Sequence, residues 1–201
     1  MPSLYLIRHG RTAWNSAWRI QGHEDVPLDE EGRMQARALG EALKGVPLGA
    51  VYASPLARAQ ETASLIAAPH GLPLRLDDRL MERNWGQYQG MRREEAALAY
   101  AQADDLLRRD PANARPPGGE SYRELYARAE AALREITAGE EGHVAVVCHG
   151  GTIVAGLMAL MGLDSWPRVR FVIENASISL LDVRPDGGVV THYVNRCDHL
   201  A

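Results

Sequence analysis

The chain is poor in phenylalanine, lysine and cysteine: 201 residues include one Phe, a single lysine (Lys44) and two cysteines. With one Phe, most of the core must come from Leu, Val, Ala and Ile. With one lysine among 22 basic residues, arginine is the default cation. The number of arginines is therefore no guide to a site, and only their positions count. Cys148 and Cys197 make neither a disulfide framework nor a metal motif. There is no HExxH pattern, no Walker loop and no GxGxxG, so zinc hydrolysis, P-loop chemistry and dinucleotide binding lack their signatures. No apolar run approaches membrane-spanning length, and MPSLYLIRHG lacks the basic start and long apolar stretch of a secretory leader. The expectation is a cytoplasmic chain with no membrane partner.

An excess of positive charge is missing too. The net charge of −4 gives no reason to expect a nucleic acid partner. An anionic substrate would need a local basic pocket within an acidic surface. A hydrophobic content of 46% and a charged content of 24% are ordinary for a globular protein. The length suits one α/β domain over residues 1–201.

What is present is an alternation of strands and helices. Leu4–Ile7 reads as a first strand. Asp29 to Lys44 reads as an amphipathic helix with Met34, Ala38, Leu39, Ala42 and Leu43 on its apolar face. Ala50–Ala53 is a short strand, and Pro55 opens a helix from a Ser54 cap, running to about Ala68 and ending near His70-Gly71. Leu74–Leu76 is a weak strand. Arg92 to Arg109 reads as a helix with Leu98, Ala99, Leu106 and Leu107 as apolar positions. After the Pro/Gly loop 111–119, Ser121 and Glu124 form a capping-box pattern for a helix to about Thr137. Val144–Cys148 is a continuous apolar run typical of a buried parallel strand. Gly150 to Met161 is an apolar helix. Ser177–Val183 and Val189–Val194 are strands joined by a turn at Pro185–Gly188; they either finish the sheet or pair across a homodimer. The pattern argues for a three-layer α/β sandwich with a mainly parallel sheet.

Three strands end in residues suited to phosphate. The first ends in Arg8 and His9: a permanent cation that matches phosphate oxygens, beside an imidazole that can attack when neutral. The second is followed by Ser54-Pro55 and then Arg58, one turn into a helix. The third ends in His149-Gly150-Gly151. If the strands are parallel, these ends converge, and the helix N-termini near Pro55 and Gly150 add partial positive charge. Either histidine is a candidate nucleophile on spacing alone. Glu82, in MERNWGQYQG, is a candidate acid if apolar neighbours favour its protonated form; a solvated loop carboxylate is the competing reading.

LIRHGRTAWN, SPLARAQETA, MERNWGQYQG, PPGGES and VCHGG occur here in the order found in the histidine phosphatase superfamily, which this chain resembles over most of its length. The resemblance implies a phosphoglycerate mutase-like fold and assigns the nucleophile, through the RHG motif, to His9. By the same resemblance His149 steadies the phosphoryl group, Arg8 and Arg58 form the phosphate clamp, and Glu82 is the proton donor. Asn15, Gln21 and Gly22 match positions near the phosphate and the substrate entrance, and Gly150 follows the second histidine. Arg83 matches an arginine that mutases use on the substrate carboxylate, and Arg108-Arg109 resembles another such pair. A charged helix end is the competing reading for Arg108 and Arg109.

These matches imply a phosphomonoesterase acting through a phosphohistidine on a small phosphorylated metabolite, with no metal and no cofactor. The alternatives are a cofactor-dependent phosphoglycerate mutase and a phosphate-binding module without catalysis. Glu82 and His149 are 67 positions apart, a short interval beside that of the larger mutases, which favours a phosphatase. Trp14 and Trp18 either line the pocket mouth or pack the loop after the first strand. Cys148 reads as a core residue. His23 shows no pairing that suggests a role, and Asn175 reads as a turn residue.

Overall fold

The computed structural model describes residues 3–163, 171–184 and 186–201. In chain order the elements are β1 (Ser3–Arg8), α1 (Ala13–Ser16), α2 (Glu30–Leu43), β2 (Leu48–Ala53), α3 (Ala57–Ala67), β3 (Leu74–Leu76), α4 (Arg93–Ala99), α5 (Ala101–Arg109), α6 (Tyr122–Gly139), β4 (His143–Cys148), α7 (Gly150–Leu160), β5 (Ile178–Val183) and β6 (Val189–Arg196). Pro185, expected in the last turn, lies outside the described residues. Among those residues no helix is long and apolar enough to cross a membrane.

The strands form one sheet in the order β3-β2-β4-β1-β5-β6. The first four of that order run parallel, while β5 pairs antiparallel with both β1 and β6. The mainly parallel expectation holds, and within the chain β5 and β6 finish the sheet. Helices cover both faces, which makes the three layers. Leu4, Leu6, Val144 and Val146 pack with Leu133 and Ile136 of α6 and Ile153 and Leu157 of α7. Tyr5, Ile7, Ala145 and Val147 pack with Leu39 of α2 and Ala63 and Ile66 of α3. Because alternate residues of a strand point to opposite faces, a strand covered on both sides must be apolar throughout. That is why β4 reads as an unbroken hydrophobic run.

Four local expectations need correction. On α2, Met34 is 55% exposed and Ala42 is exposed, while Gly32, Ala36, Leu39, Gly40 and Leu43 are buried. Small size selects that face, because Gly40 lies close against Leu65 of α3 and Gly32 against the backbone of Arg11. Ser54 does not cap α3, which starts two residues beyond Pro55 with Leu56 at the cap position. The Ser54 hydroxyl instead accepts the Leu56 N–H and lies 2.8 Å from His149 Nε2. The stretch from Arg92 to Arg109 is two helices, broken at Tyr100, whose ring stacks on Tyr88. Of its expected apolar positions, only Leu107 is buried; Leu98 is 84% and Leu106 59% exposed, and Ala99 is exposed. The capping box of α6 forms as read, with Glu124 N–H on Ser121 Oγ and Ser121 N–H on the Glu124 carboxylate.

Candidate active site

Sheet register brings three strand ends to one level. The His9 N–H donates to Cys148 O and the Ser54 N–H to Val147 O, both at 3.0 Å. The residues following β1, β2 and β4 therefore converge at the carboxyl edge of the parallel strands, the usual ligand edge of such sheets. His9, Ser54 and His149 are all buried, and the two imidazole centroids lie 5.1 Å apart.

His9 Nδ1 lies 2.7 Å from the carbonyl oxygen of Gly10. A carbonyl can only accept, so Nδ1 carries the proton and Nε2 keeps its lone pair. Burial, then the charges of Arg58 and Arg8, hold the His9 pKa well below the ordinary histidine value. Burial, then Arg58, His9 and Arg8, do the same for His149. Both rings are therefore neutral at pH 7. Arg58 is completely buried in the first turn of α3. Its Nη1 donates to Glu24 O at 2.7 Å and its Nη2 to Gly22 O at 2.8 Å. Burial brings its pKa down to about 10, so it remains a cation at neutral pH. Arg8 is held by one bond, Nη1 to Ile173 O at 2.6 Å. Arg8 Nε, Arg58 Nε and His149 Nδ1 are buried without a partner among the described residues. Buried polar groups are normally satisfied, so these three atoms are open to a partner from outside the chain.

Glu82 stands at the same cleft. One carboxylate oxygen accepts the Arg83 N–H at 2.8 Å and the other accepts the Gly151 N–H at 3.1 Å. Gly151 is needed there because a Cβ at that position would fall 2.4 Å from Glu82 Oε1. The Glu82 backbone is fixed as well. Its carbonyl accepts from His23 Nε2 and from Arg128 Nη2, each at 2.8 Å. Arg128 also donates to the carbonyls of Arg79 and Met81 and pairs with Glu120 at 2.6 Å. Sequence reasoning missed both groups: His23 had no visible partner, and no motif singles out Arg128.

The cleft of about 280 Å³ is lined by Arg8, His9, Asn15, Gln21, Gly22, Arg58, Glu82 and Trp85, with Arg19, Ile20 and Arg93 added by the structure. Asn15 serves also as a helix-start residue, since its side chain accepts the Thr12 N–H at 3.0 Å. The Gln21 carboxamide oxygen accepts from the Thr12 hydroxyl at 3.0 Å. Gly22 has φ +55°, the left-handed conformation in which it turns its carbonyl to Arg58. His149 lies behind this wall, and Gly150 begins α7 beside Arg8.

Arg83 is not brought to the cleft. Its guanidinium is buried between the rings of Tyr122 and Trp85, 3.8 and 4.2 Å from their centroids, and its Nε donates to Glu120 O. Arg108 and Arg109 are exposed and pair with Asp104 and Asp105 one turn earlier, as a charged helix end does. Cys148 is buried in the core, and desolvation pushes its thiol up to about 12, so it holds no thiolate at neutral pH. Among the described residues no cluster of His, Cys, Asp or Glu is arranged to hold a metal ion.

Known proteins agree with this architecture. Residues 4–196 match the family model of the histidine phosphatase superfamily (branch 1). The 2,3-bisphosphoglycerate-dependent phosphoglycerate mutase 2 of Gloeobacter violaceus is 36% identical over 206 residues, covering 98% of this chain and 93% of that one. YhfR of Bacillus stearothermophilus superposes with a TM-score of 0.90 at 30% identity, covering 100% of both chains. A mycobacterial glucosyl-3-phosphoglycerate phosphatase superposes with a TM-score of 0.87 at 33% identity, over 97% of this chain and 99% of that one. With the RHG sequence at the end of β1 and the second histidine at the end of β4, the chain belongs to branch 1 of the histidine phosphatase superfamily.

Proposed function

We propose that this protein is a phosphomonoester hydrolase that works through a phosphohistidine on a small phosphorylated metabolite. The observation that carries the reading is the His9 tautomer. Its Nδ1 proton is committed to Gly10 O, and its neutral Nε2 lies among the fixed cations Arg8 and Arg58. In the first step Nε2 attacks phosphorus, the ester P–O bond breaks, and Glu82 gives its proton to the leaving oxygen. In the second, Glu82 takes a proton from water, the water oxygen attacks phosphorus, and the N–P bond breaks to release phosphate and neutral His9. Arg8, Arg58 and His149 bind the equatorial oxygens, where charge is spread in the transition state. Fixed cations take the part that Mg²⁺ plays elsewhere, so turnover is expected to persist in EDTA.

Two points favour water over a second substrate as acceptor. The arginine that resemblance offered for a substrate carboxylate, Arg83, is locked in its aromatic stack, and Arg108 and Arg109 are paired on an exposed helix. A mycobacterial protein of the same fold bears the name of a phosphatase. The mutase reading draws on the name of the Gloeobacter relative and on Arg19 and Arg93, which put two further cations at the cleft.

One assay separates them: phosphate release from 3-phosphoglycerate in EDTA, beside 2-phosphoglycerate formation with and without 2,3-bisphosphoglycerate. Phosphate release independent of the bisphosphate, and lost in His9→Ala, is the expected result. Bisphosphate-dependent isomer exchange with little phosphate released would make the protein a mutase. Phosphate binding with no turnover of any phosphomonoester would make it a binding module.

A further inference from the structure

A second lobe of the cleft, about 290 Å³, opens beside the phosphate-handling residues and shares Arg8, Asn15, Arg19 and Ile20 with their cleft. Trp14, Trp18 and Ile20 supply its apolar lining, Glu174 and Asn175 its acceptors, and Arg8 and Arg19 two cations. An ester whose phosphate sits against Arg8 can extend its leaving group into this space.

The walls are held by unusual backbone. Trp18, Ala176 and Asn195 are the only non-glycine residues with left-handed φ among the described residues, at 57°, 57° and 61°. All three serve this lobe. Trp18 is part of it, with its indole 83% exposed. The Ala176 N–H lies 3.1 Å from the carbonyls of both Arg8 and His9, tying the polar wall to the end of β1. Asn195 Oδ1 accepts the Glu174 N–H at 2.6 Å. Strained backbone collects at ligand sites, where surrounding contacts enforce it.

The chemistry of the walls is specific. The Glu174 carboxylate has no hydrogen-bond or ion-pair partner among the described residues. Asn175 donates through Nδ2 to His9 O at 3.1 Å, which leaves its own carbonyl oxygen as an acceptor. Acceptors thus face a flat aromatic surface. A ring with hydroxyls on its edge and C–H groups on its face fits this lining: Glu174 and Asn175 accept from hydroxyls, Arg8 and Arg19 donate to them, and the indole takes the C–H face. We propose that this lobe is a leaving-group subsite for a sugar ring, with Trp18 as the stacking face and Glu174 as the hydroxyl acceptor.

The proposal rests on the hydrolase reading for its kinetic test but not for its binding test. Ribose 5-phosphate and glycerol 3-phosphate are both primary alkyl phosphates, so their chemical steps match and the ring is the difference. Wild-type kcat/KM is expected to favour ribose 5-phosphate at least tenfold. Trp18→Gly, which suits the left-handed backbone, and Glu174→Gln are each expected to cut that preference at least fivefold, through KM. No preference in the wild type, or one unmoved by both variants, overturns the subsite. Calorimetric binding of the two esters to His9→Ala separates the two readings. A Trp18-dependent preference in binding without wild-type phosphate release removes the hydrolase and keeps the subsite. Phosphate release without any preference removes the subsite alone.

Discussion

Gly151→Ala tests the Glu82 assignment with little disturbance to the fold. The added Cβ would lie 2.4 Å from Glu82 Oε1 and 3.3 Å from its carboxylate carbon. Ordinary contact begins near 3.4 Å, so the carboxylate must retreat by about 1 Å. The atom that yields is the tip of a flexible side chain, and Ala in a helix is favoured over Gly by about 1 kcal/mol, so stability should be kept or slightly raised. Chemistry has no such tolerance: a 1 Å misplacement of a reacting group costs about 100-fold, or about 2.7 kcal/mol of barrier. The loss should fall where the leaving oxygen needs a proton. Measured as kcat/KM, which reports only steps up to phosphoryl transfer to the enzyme, glycerol 3-phosphate should lose about 100-fold. p-Nitrophenyl phosphate, whose phenolate leaves with little protonation, should lose under about tenfold. Urea unfolding of the same variant checks the fold. Equal losses on both substrates with stability intact would refute the acid role; a large fall in stability would refute the claim that the side chain gives way.

Three further outcomes are expected. Because burial and Arg58 hold His9 and His149 below the ordinary histidine value, both bind protons near pH 6.5 only when unfolded. Stability present above pH 6.5 is therefore lost as pH falls, approaching about 1.4 kcal/mol per pH unit for each imidazole; urea midpoints at pH 7.5, 6.5 and 5.5 check this, and a flat profile contradicts it. Arg128→Met removes the side-chain donor to the Arg79 carbonyl, one of two donors to each of the Met81 and Glu82 carbonyls, and the ion-pair partner of Glu120. It should cost about 2–3 kcal/mol of stability and about tenfold in kcat/KM on alkyl phosphates; an unchanged rate would detach Arg128 from Glu82 positioning. Trp18→Gly should raise stability by about 1 kcal/mol, since only the strained φ and an exposed indole are lost, and a fall in the urea midpoint would mean that the indole is packed.

Residues whose role depends on chain position were legible. Arg8, His9 and His149 sit at strand ends, and Arg58 sits one turn into a helix, so strand pattern alone put them at one edge. The Ser121–Glu124 box was legible for the same reason: both partners lie within one helical turn. Roles set by long-range neighbours were not. Nothing near Arg83 shows that Tyr122 closes over it. Arg128 and His23 act on backbone carbonyls, and a carbonyl has no residue type to read. On α2 the hydrophobic pattern chose Met34, but close backbone approach chose Gly32, against Arg11, and Gly40, against Leu65 of α3.

The level placement of three strand ends also has a consequence in time. His9 and Ser54 reach their positions by donating to Val147 and Cys148, residues in the last third of the chain. During synthesis Arg8, His9, Arg58 and Glu82 all emerge before the strand that aligns them. On the proposed function, activity on refolding is expected to return with, and not ahead of, the docking of β4 between β1 and β2. The return of that activity would time one long-range step in building this sheet, the pairing of β1 with β4.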